Sequence, residues 1–371
     1  MRAHPIGELS PSGVLDVGLR CVHSCNFCYY SYWDGTGDQF AGMRKAPWRS
    51  RQELVALLDD FKKWGLTRFD VTGGEPTLHP ELVPVMAYAH QGLGLRARIT
   101  TLGQFLDRPL RGGKRPLLEE LHEAGVRELL FSLHAVDTAL FHAITKADLS
   151  KLLGAMAHAD DLGMTSMTNT VVHKHNVEHL PAIARHVAGT SVHLANFIVM
   201  KVEWGWAHDR EGAVERKARY ADLLPSLREA VAILEAAGKG VNVRYGPYCA
   251  YPGLEKNLVG FKGVQLDPFE WRNGTRGGAG DGPYGKPPFL FFDSLDGYLA
   301  RHPKDVETKP GYNMTFGPKC ADCALRPICD GVDRDYAREH GFDELAPYVG
   351  EPVTDLVHFR RANPRAFLLP G

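Results

Sequence analysis

The chain has 371 residues, of which 44% are hydrophobic and 23% charged, and its formal net charge is -1. That is ordinary globular composition, with length for one large domain plus a smaller one. No basic stripe stands out, so a nucleic-acid partner is not expected, and no run approaches the ~18 apolar residues of a membrane span. Residues 1–12 lack the apolar core of a secretory signal, and the protein reads as cytoplasmic.

In chain order, residues 14–19 form a short apolar run that ends at a group of cysteines. Residues 51–64 have helical periodicity, with Leu54, Leu57, Leu58 and Phe61 on one face. A strand over 68–72 runs into Gly73-Gly74-Glu75-Pro76. Helix then alternates with strand: helix 80–90, strand 95–101, helix 116–124, strand 128–135, helix 150–162, strand 166–173, helix 179–188, strand 192–200, helix 217–237 and strand 241–245. Such alternation predicts an α/β fold with parallel pairing and right-handed crossovers. Six units make a partial (β/α)6 barrel over residues 13–245, open on one side; an open doubly wound sheet is the alternative. In both, chemistry gathers at the C-terminal ends of the strands. Residues 246–371 lose the pattern and read as a small loop-rich domain. Within it, 273–288 are rich in Gly and Pro and read as a mobile loop, either a lid or a plain surface insertion.

Seven cysteines make a disulfide framework a poor reading for a cytosolic chain of this size. Three stand at Cys21, Cys25 and Cys28, three at Cys320, Cys323 and Cys329, and Cys249 stands alone. Clustered cysteines in such a chain more often hold a metal. Three thiolates on one tight loop suit three irons of a cubane, with the fourth iron open. Zinc is the alternative at this loop, with His23 as its only nearby fourth ligand. No pair among the 17 histidines makes a separate metal site.

The first cysteine motif, CxxxCxxC with aromatic Phe27 before the last cysteine, resembles the signature of the radical S-adenosylmethionine (SAM) superfamily. Gly73-Gly74-Glu75 at the end of the next strand agrees with it. The resemblance covers residues 13–245. It implies a [4Fe-4S] cluster on Cys21, Cys25 and Cys28, and SAM bound to the open iron. It further implies that Gly73, Gly74 and Glu75 bind the methionyl group, the glycines letting backbone approach the ligand. Ser132 and Asn169 fit the places where later strands add SAM contacts; equally, they read as satisfied polar residues of the barrel. The mechanism implied is reductive cleavage of SAM to an adenosyl radical that removes hydrogen from the substrate.

Cys320-Ala-Asp-Cys323, with Cys329 beyond it, resembles part of the SPASM/twitch auxiliary-cluster domain; a zinc knuckle is the alternative. The resemblance implies one auxiliary [4Fe-4S] cluster with an unassigned fourth ligand. A further cysteine soon after the third is replaced here by Asp330, Gly331, Val332 and Asp333. Cys249 then reads as that fourth ligand, as a catalytic hydrogen donor, or as an inert buried thiol.

Only twenty residues precede Cys21, which tilts the expectation from a leader-bound peptide toward a small molecule. The short N-terminus, the barrel, the single auxiliary set and the unpaired Cys249 together resemble the aminoglycoside-tailoring radical SAM enzymes. This implies an epimerase acting on a small polycationic sugar and supplied by an external one-electron reductant of flavodoxin or ferredoxin type. Glu203, Trp204, Trp206 and Asp209, after the sixth strand, are candidate substrate contacts or rim residues of an ordinary loop. Tyr29, Tyr30, Tyr32, Trp33 and Asp34 are another candidate wall. The rival readings are a dehydrogenase of a sugar or cyclitol alcohol, a peptide-modifying SPASM maturase and a non-catalytic zinc scaffold.

Overall fold

The computed structural model describes residues 1–28, 30–31, 39–110, 113–201, 210–277 and 314–370. All the strands expected up to residue 245 are present. They are β1 (Ser12–Asp16), β2 (Arg68–Thr72), β3 (Arg96–Thr101), β4 (Glu128–Ser132), β5 (Thr165–Val172), β6 (Leu194–Val199) and β7 (Gly240–Arg244). They lie side by side in chain order, each pair parallel, and the sheet curls into a partial barrel. β8 (Leu258–Val259) adds to β7, and β9 (Trp271–Gly277) adds to β1. The expected loop over 273–288 is thus corrected in its first part. Residues 273–277 are an edge strand, because main-chain pairing to the free edge of β1 needs no side-chain pattern. The rest of that stretch lies outside the described residues.

The outer face of the sheet is covered by α1 (Arg51–Lys63), α2 (Leu82–Ala87), α3 (Leu117–Glu123), α4 (Thr138–Thr145), α5 (Leu149–Asp161), α6 (Leu180–Ala188) and α7 (Tyr220–Ala236). Local chemistry sets their ends. Ser50 and Glu53 form a capping box on α1; Asp137 and Asp148 accept backbone N–H groups at the starts of α4 and α5. Gly65, Gly125 and Gly163, each with positive φ, end a helix one turn before the next strand. No sequence expectation covered α4, a short helix packed against α5.

Inside the barrel, side chains stack by rung. One low rung is apolar: Leu130, Met167 and Leu194 pack with Phe269, Ala366, Phe367 and Leu369. Thus the C-terminal segment plugs the barrel's base, and its last strand, Leu368–Leu369, pairs antiparallel with Arg2–Ala3. Ion pairs brace the same region: Arg98 with Asp70 at 2.7 Å, Arg68 with Glu128, and Arg244 with Glu270 at 2.8 Å. All are buried or nearly so, as paired charges in an interior must be. Two residues above Leu130, Met167 and Leu194 the wall becomes polar, with Ser132, Asn169, Asn196 and Asn242 in register.

Residues 333–340 pack beside the start of α7, away from the base that residues 366–369 fill. Buried Lys217 and Asp333 pair at 2.9 Å, and Tyr220 stacks on Tyr336 with ring centroids 4.1 Å apart. Among the described residues, no helix is long and apolar enough to cross a membrane.

Candidate active site

Two loops meet above β1 and β2. Asp16 ends β1, and its Oδ1 accepts from Gly18 N at 3.0 Å, starting the turn into the cysteines. Gly74 N donates to Gly18 O at 2.8 Å and Glu75 N to Arg20 O at 2.9 Å, which ties the Gly73–Glu75 turn to the cysteine loop. A Cβ on Gly73 would fall under 3.0 Å from Gly18 O, and one on Gly74 under 3.0 Å from Arg20 O. The neighbour that demands glycine here is therefore the protein's own backbone, a partner the sequence did not name.

Glu75 is buried, and its side chain points into the fold. Its Oε1 accepts from Thr77 N (3.2 Å), Thr77 Oγ1 (2.6 Å) and Thr101 Oγ1 (2.7 Å); its Oε2 accepts from Leu102 N (3.1 Å) and lies 3.6 Å from His23 Nε2. Burial pushes this carboxyl up, but His23, Thr77 and Thr101 outweigh it and hold it below the usual range. Its side chain therefore fixes the turn. His23 faces Glu75 and Phe105 rather than the thiols, so a zinc site at this loop lacks its one nearby fourth ligand.

Cys21, Cys25 and Cys28 are buried or half-buried on this loop. Arg44 holds the loop through Cys21 O (3.1 Å), His23 O (2.9 Å) and Ser24 Oγ (2.6 Å). Burial pushes the Cys21 thiol up to about 12 and Cys28 to about 11, and Cys25 is raised by burial and by the charges of Cys28 and Cys21. Three thiolates so placed need cationic metal among them. Among the described residues, no three metal-binding side chains close on a single-ion position. A cubane asks for one thiolate on each of three irons, and this donor set fits it.

Phe27 packs edge-on against His134 at 4.4 Å and lies 5.9 Å from His173. Burial holds both histidines down to about 3, so both rings are neutral. His134 and His173 were not singled out from the sequence; each lies just past a strand end, where such chemistry was expected. Ser132 and Asn169 pair across β4 and β5 and are part-exposed to the barrel interior.

Residues 15–187 match the family model of the Radical SAM superfamily. Residues 15–187, the barrel from β1 into α6, belong to that superfamily. Among curated relatives, the PqqA peptide cyclase of Xanthomonas campestris pv. campestris is 28% identical over 200 residues, 52% of this chain and 44% of the relative. The probable GTP 3',8-cyclase of Saccharolobus solfataricus is 29% identical over 167 residues, 44% of this chain and 49% of the relative. The matches thus span about half the length of these curated relatives. Streptococcus suis SuiB bound to precursor peptide SuiA shares the fold over 94% of this chain and 76% of its own, with TM-score 0.57 and 14% identity. A radical SAM barrel of this kind is expected to carry one [4Fe-4S] cluster and SAM, and Cys21, Cys25 and Cys28 would hold the cluster.

The second group of cysteines faces one cavity. Cys249, Cys320, Cys323 and Cys329 line a partly open, mainly apolar cavity. Burial raises the Cys249 thiol to about 12, and the charges of Cys329, Cys320 and Cys323 add to it. The residues standing where a further cysteine was looked for have other tasks. Asp330 accepts from Phe261 N and Lys262 N, Gly331 takes φ 89° against Thr315 O, and Asp333 caps helix Arg334–His340 and pairs with Lys217.

One member of the second candidate wall is corrected. Tyr30 is buried with Leu19, Cys21 and Met43, and its hydroxyl donates to Asp16 Oδ2 at 3.4 Å, because the loop folds it under the cysteines. Tyr29, Tyr32, Trp33 and Asp34 lie outside the described residues, as do Glu203, Trp204, Trp206 and Asp209.

Proposed function

We propose that this radical SAM protein is an aminoglycoside epimerase that inverts one sugar carbon, as in the conversion of neomycin C to neomycin B at C5‴. The observation that carries the reading is the position of Cys249. It sits on the turn Tyr248–Ala250, just past β7 at the reactive end of the barrel, and on the cavity wall shared with Cys320, Cys323 and Cys329. Bound SAM supplies the radical that removes hydrogen from the substrate carbon. Cys249 returns hydrogen on the opposite face: its S–H bond breaks, a C–H bond forms and the unpaired electron passes to sulfur. An S–H bond is weaker than a sugar C–H bond, so the step runs downhill. One electron from a flavodoxin- or ferredoxin-type reductant and one proton then restore the thiol. Cys320, Cys323 and Cys329 fit an auxiliary [4Fe-4S] cluster beside that sulfur. A polycationic sugar needs carboxylates and aromatic faces, and Glu203, Trp204, Trp206 and Asp209 are the proposed lining.

Running the reaction in deuterated water tests this. An exchangeable thiol donor leaves one deuterium on carbon in the epimer; a product without carbon-bound deuterium defeats the reading and favours the dehydrogenase. A second reading, a peptide maturase, is favoured by the relatives themselves, a peptide cyclase and a peptide-bound maturase fold. A cross-linked peptide product in place of an epimer would support it.

A further inference from the structure

Three asparagines stand at one level of the barrel wall. Register pairs Ser132 with Asn169, Asn169 with Asn196 and Asn196 with Asn242 across four adjacent strands. Asn196 and Asn242 are buried, at 3% and 0% exposure, whereas Ser132 and Asn169 are open to the interior. The exposed end lies on the side of the cluster loop, since His134, two residues past Ser132, packs on Phe27.

The amides in this row cannot turn freely, because a guanidinium only donates. Arg360 Nη1 donates to Asn242 Oδ1 at 2.8 Å, which sends Asn242 Nδ2 the other way, to Asn196 Oδ1 and Asp267 Oδ2, each at 3.2 Å. Arg244 Nη2 donates to the same Asn196 oxygen at 3.3 Å. With its oxygen held by two donors, Asn196 turns Nδ2 to Asn169 Oδ1 at 3.0 Å. Asn169 ends the row. Its oxygen is taken, and no described residue accepts its amide N–H groups, which are left for a ligand. Reversing one link reverses every link toward the open end.

We infer that Asn196 is a positioning residue: held by Arg244 and Asn242, it sets the Asn169 amide so that a donor, not an acceptor, faces SAM. This rests on the reading of Asn169 as a SAM contact. SAM's carboxylate only accepts, and its ribose hydroxyls can accept, so a donor suits them.

Asn196→Asp has nearly the same shape. The carboxylate still accepts from Asn242 and Arg244 but cannot donate, so Asn169 must turn its Nδ2 inward and show SAM an oxygen. Asn169→Asp shows SAM an oxygen directly. SAM binding to each full-length, cluster-loaded variant is read by anaerobic calorimetry, with melting temperature as the check on folding. Both variants should bind SAM about ten-fold or more weakly, the N196D melt staying within about 3 °C of the parent. Weak binding by N169D with parent-like binding by N196D overturns the relay. Parent-like binding by N169D shows that SAM needs no donor from position 169 and overturns the proposal at its base. Should N196D not load iron, Asn196→Leu serves instead. It frees the Asn169 amide to turn, and affinity should fall about three-fold; parent-like binding refutes the inference.

Discussion

The Gly73–Glu75 turn and the cysteine loop are held so closely that one methyl group should separate them. In Gly74→Ala the new Cβ meets Arg20 O and Leu19 O at under 3.0 Å, where ordinary contact begins at 3.4 Å. Backbone carbonyls cannot swing away as a flexible side chain can, so one loop must move by about 1 Å. That movement strains or breaks Glu75 N to Arg20 O and Gly74 N to Gly18 O. Overpacking costs roughly 1–3 kcal/mol and each hydrogen bond roughly 1 kcal/mol, so about 3 kcal/mol is expected. The loss falls on the loop that carries Cys21. Urea unfolding of the apoprotein should show the lower midpoint, and anaerobic reconstitution should yield about half the parent's iron if the second site still fills. Gly94→Ala is the control. Gly94 has φ 67° and nothing within 4 Å of an added Cβ, so it should lose about 1 kcal/mol from strain alone and load iron fully. If Gly74→Ala keeps the parent's iron and midpoint, the contact does not hold the two loops together.

Glu75→Gln should lower stability by about 2 kcal/mol, since the amide cannot accept from Leu102 N at Oε2 and from the threonines at Oε1 together; denaturant titration at pH 7 reads this. Burial near Asp267 and Asp70 outweighs Arg244 and raises Glu270 from 4.5 to about 7. The native state then holds this proton more tightly than the unfolded chain, so stability should fall as pH rises from about 4.5 to about 7. The fall should be about 3 kcal/mol, and Glu270→Gln should remove it from the midpoint-against-pH curve. Asp333→Asn keeps an oxygen for capping but leaves Lys217 buried without its counter-charge, and should cost about 3 kcal/mol by urea titration. Adding Lys217→Met should recover most of that loss; a double variant no more stable than the single one would show that the pair is not what docks helix Arg334–His340.

Much of the barrel could be read from periodicity because its strands are apolar on the helix-facing side and its helices have one apolar stripe. Phe69 and Val71 on β2, and Leu129 and Phe131 on β4, pack outward at 0–1% exposure. The two cysteine groups and the Gly-Gly-Glu turn were visible because rare residue types stood at short spacings. What was not visible depends on partners distant in sequence. Nothing near Gly74 says that its close neighbour is Arg20 O. α4 was missed because eight residues give barely two turns of pattern, and only Asp137 marks its start. β9 was missed because an edge strand can be made by backbone alone. The Asn row did leave a signal: Asn196 and Asn242 each interrupt an apolar strand at an inward position, whereas Asn169 stands in the Thr-rich β5. Its meaning required the register, and its direction required Arg360 from the far end of the chain.

The position of Cys249 makes two attractive readings incompatible. A sulfur bound to iron carries no hydrogen, so Cys249 cannot complete a four-thiolate cluster and return hydrogen to a substrate in the same state. The chain has seven cysteines, and three at each site leave none other to donate. The ligand count is therefore a test of function as much as of structure. Cys249→Ser, reconstituted anaerobically, should keep the parent's iron and still cleave SAM while forming no epimer. Loss of about four irons per chain would instead make Cys249 a ligand and remove the thiol on which epimerisation rests. The four thiols line one cavity, so ligation is sterically open to Cys249, and the iron count decides which chemistry that wall performs.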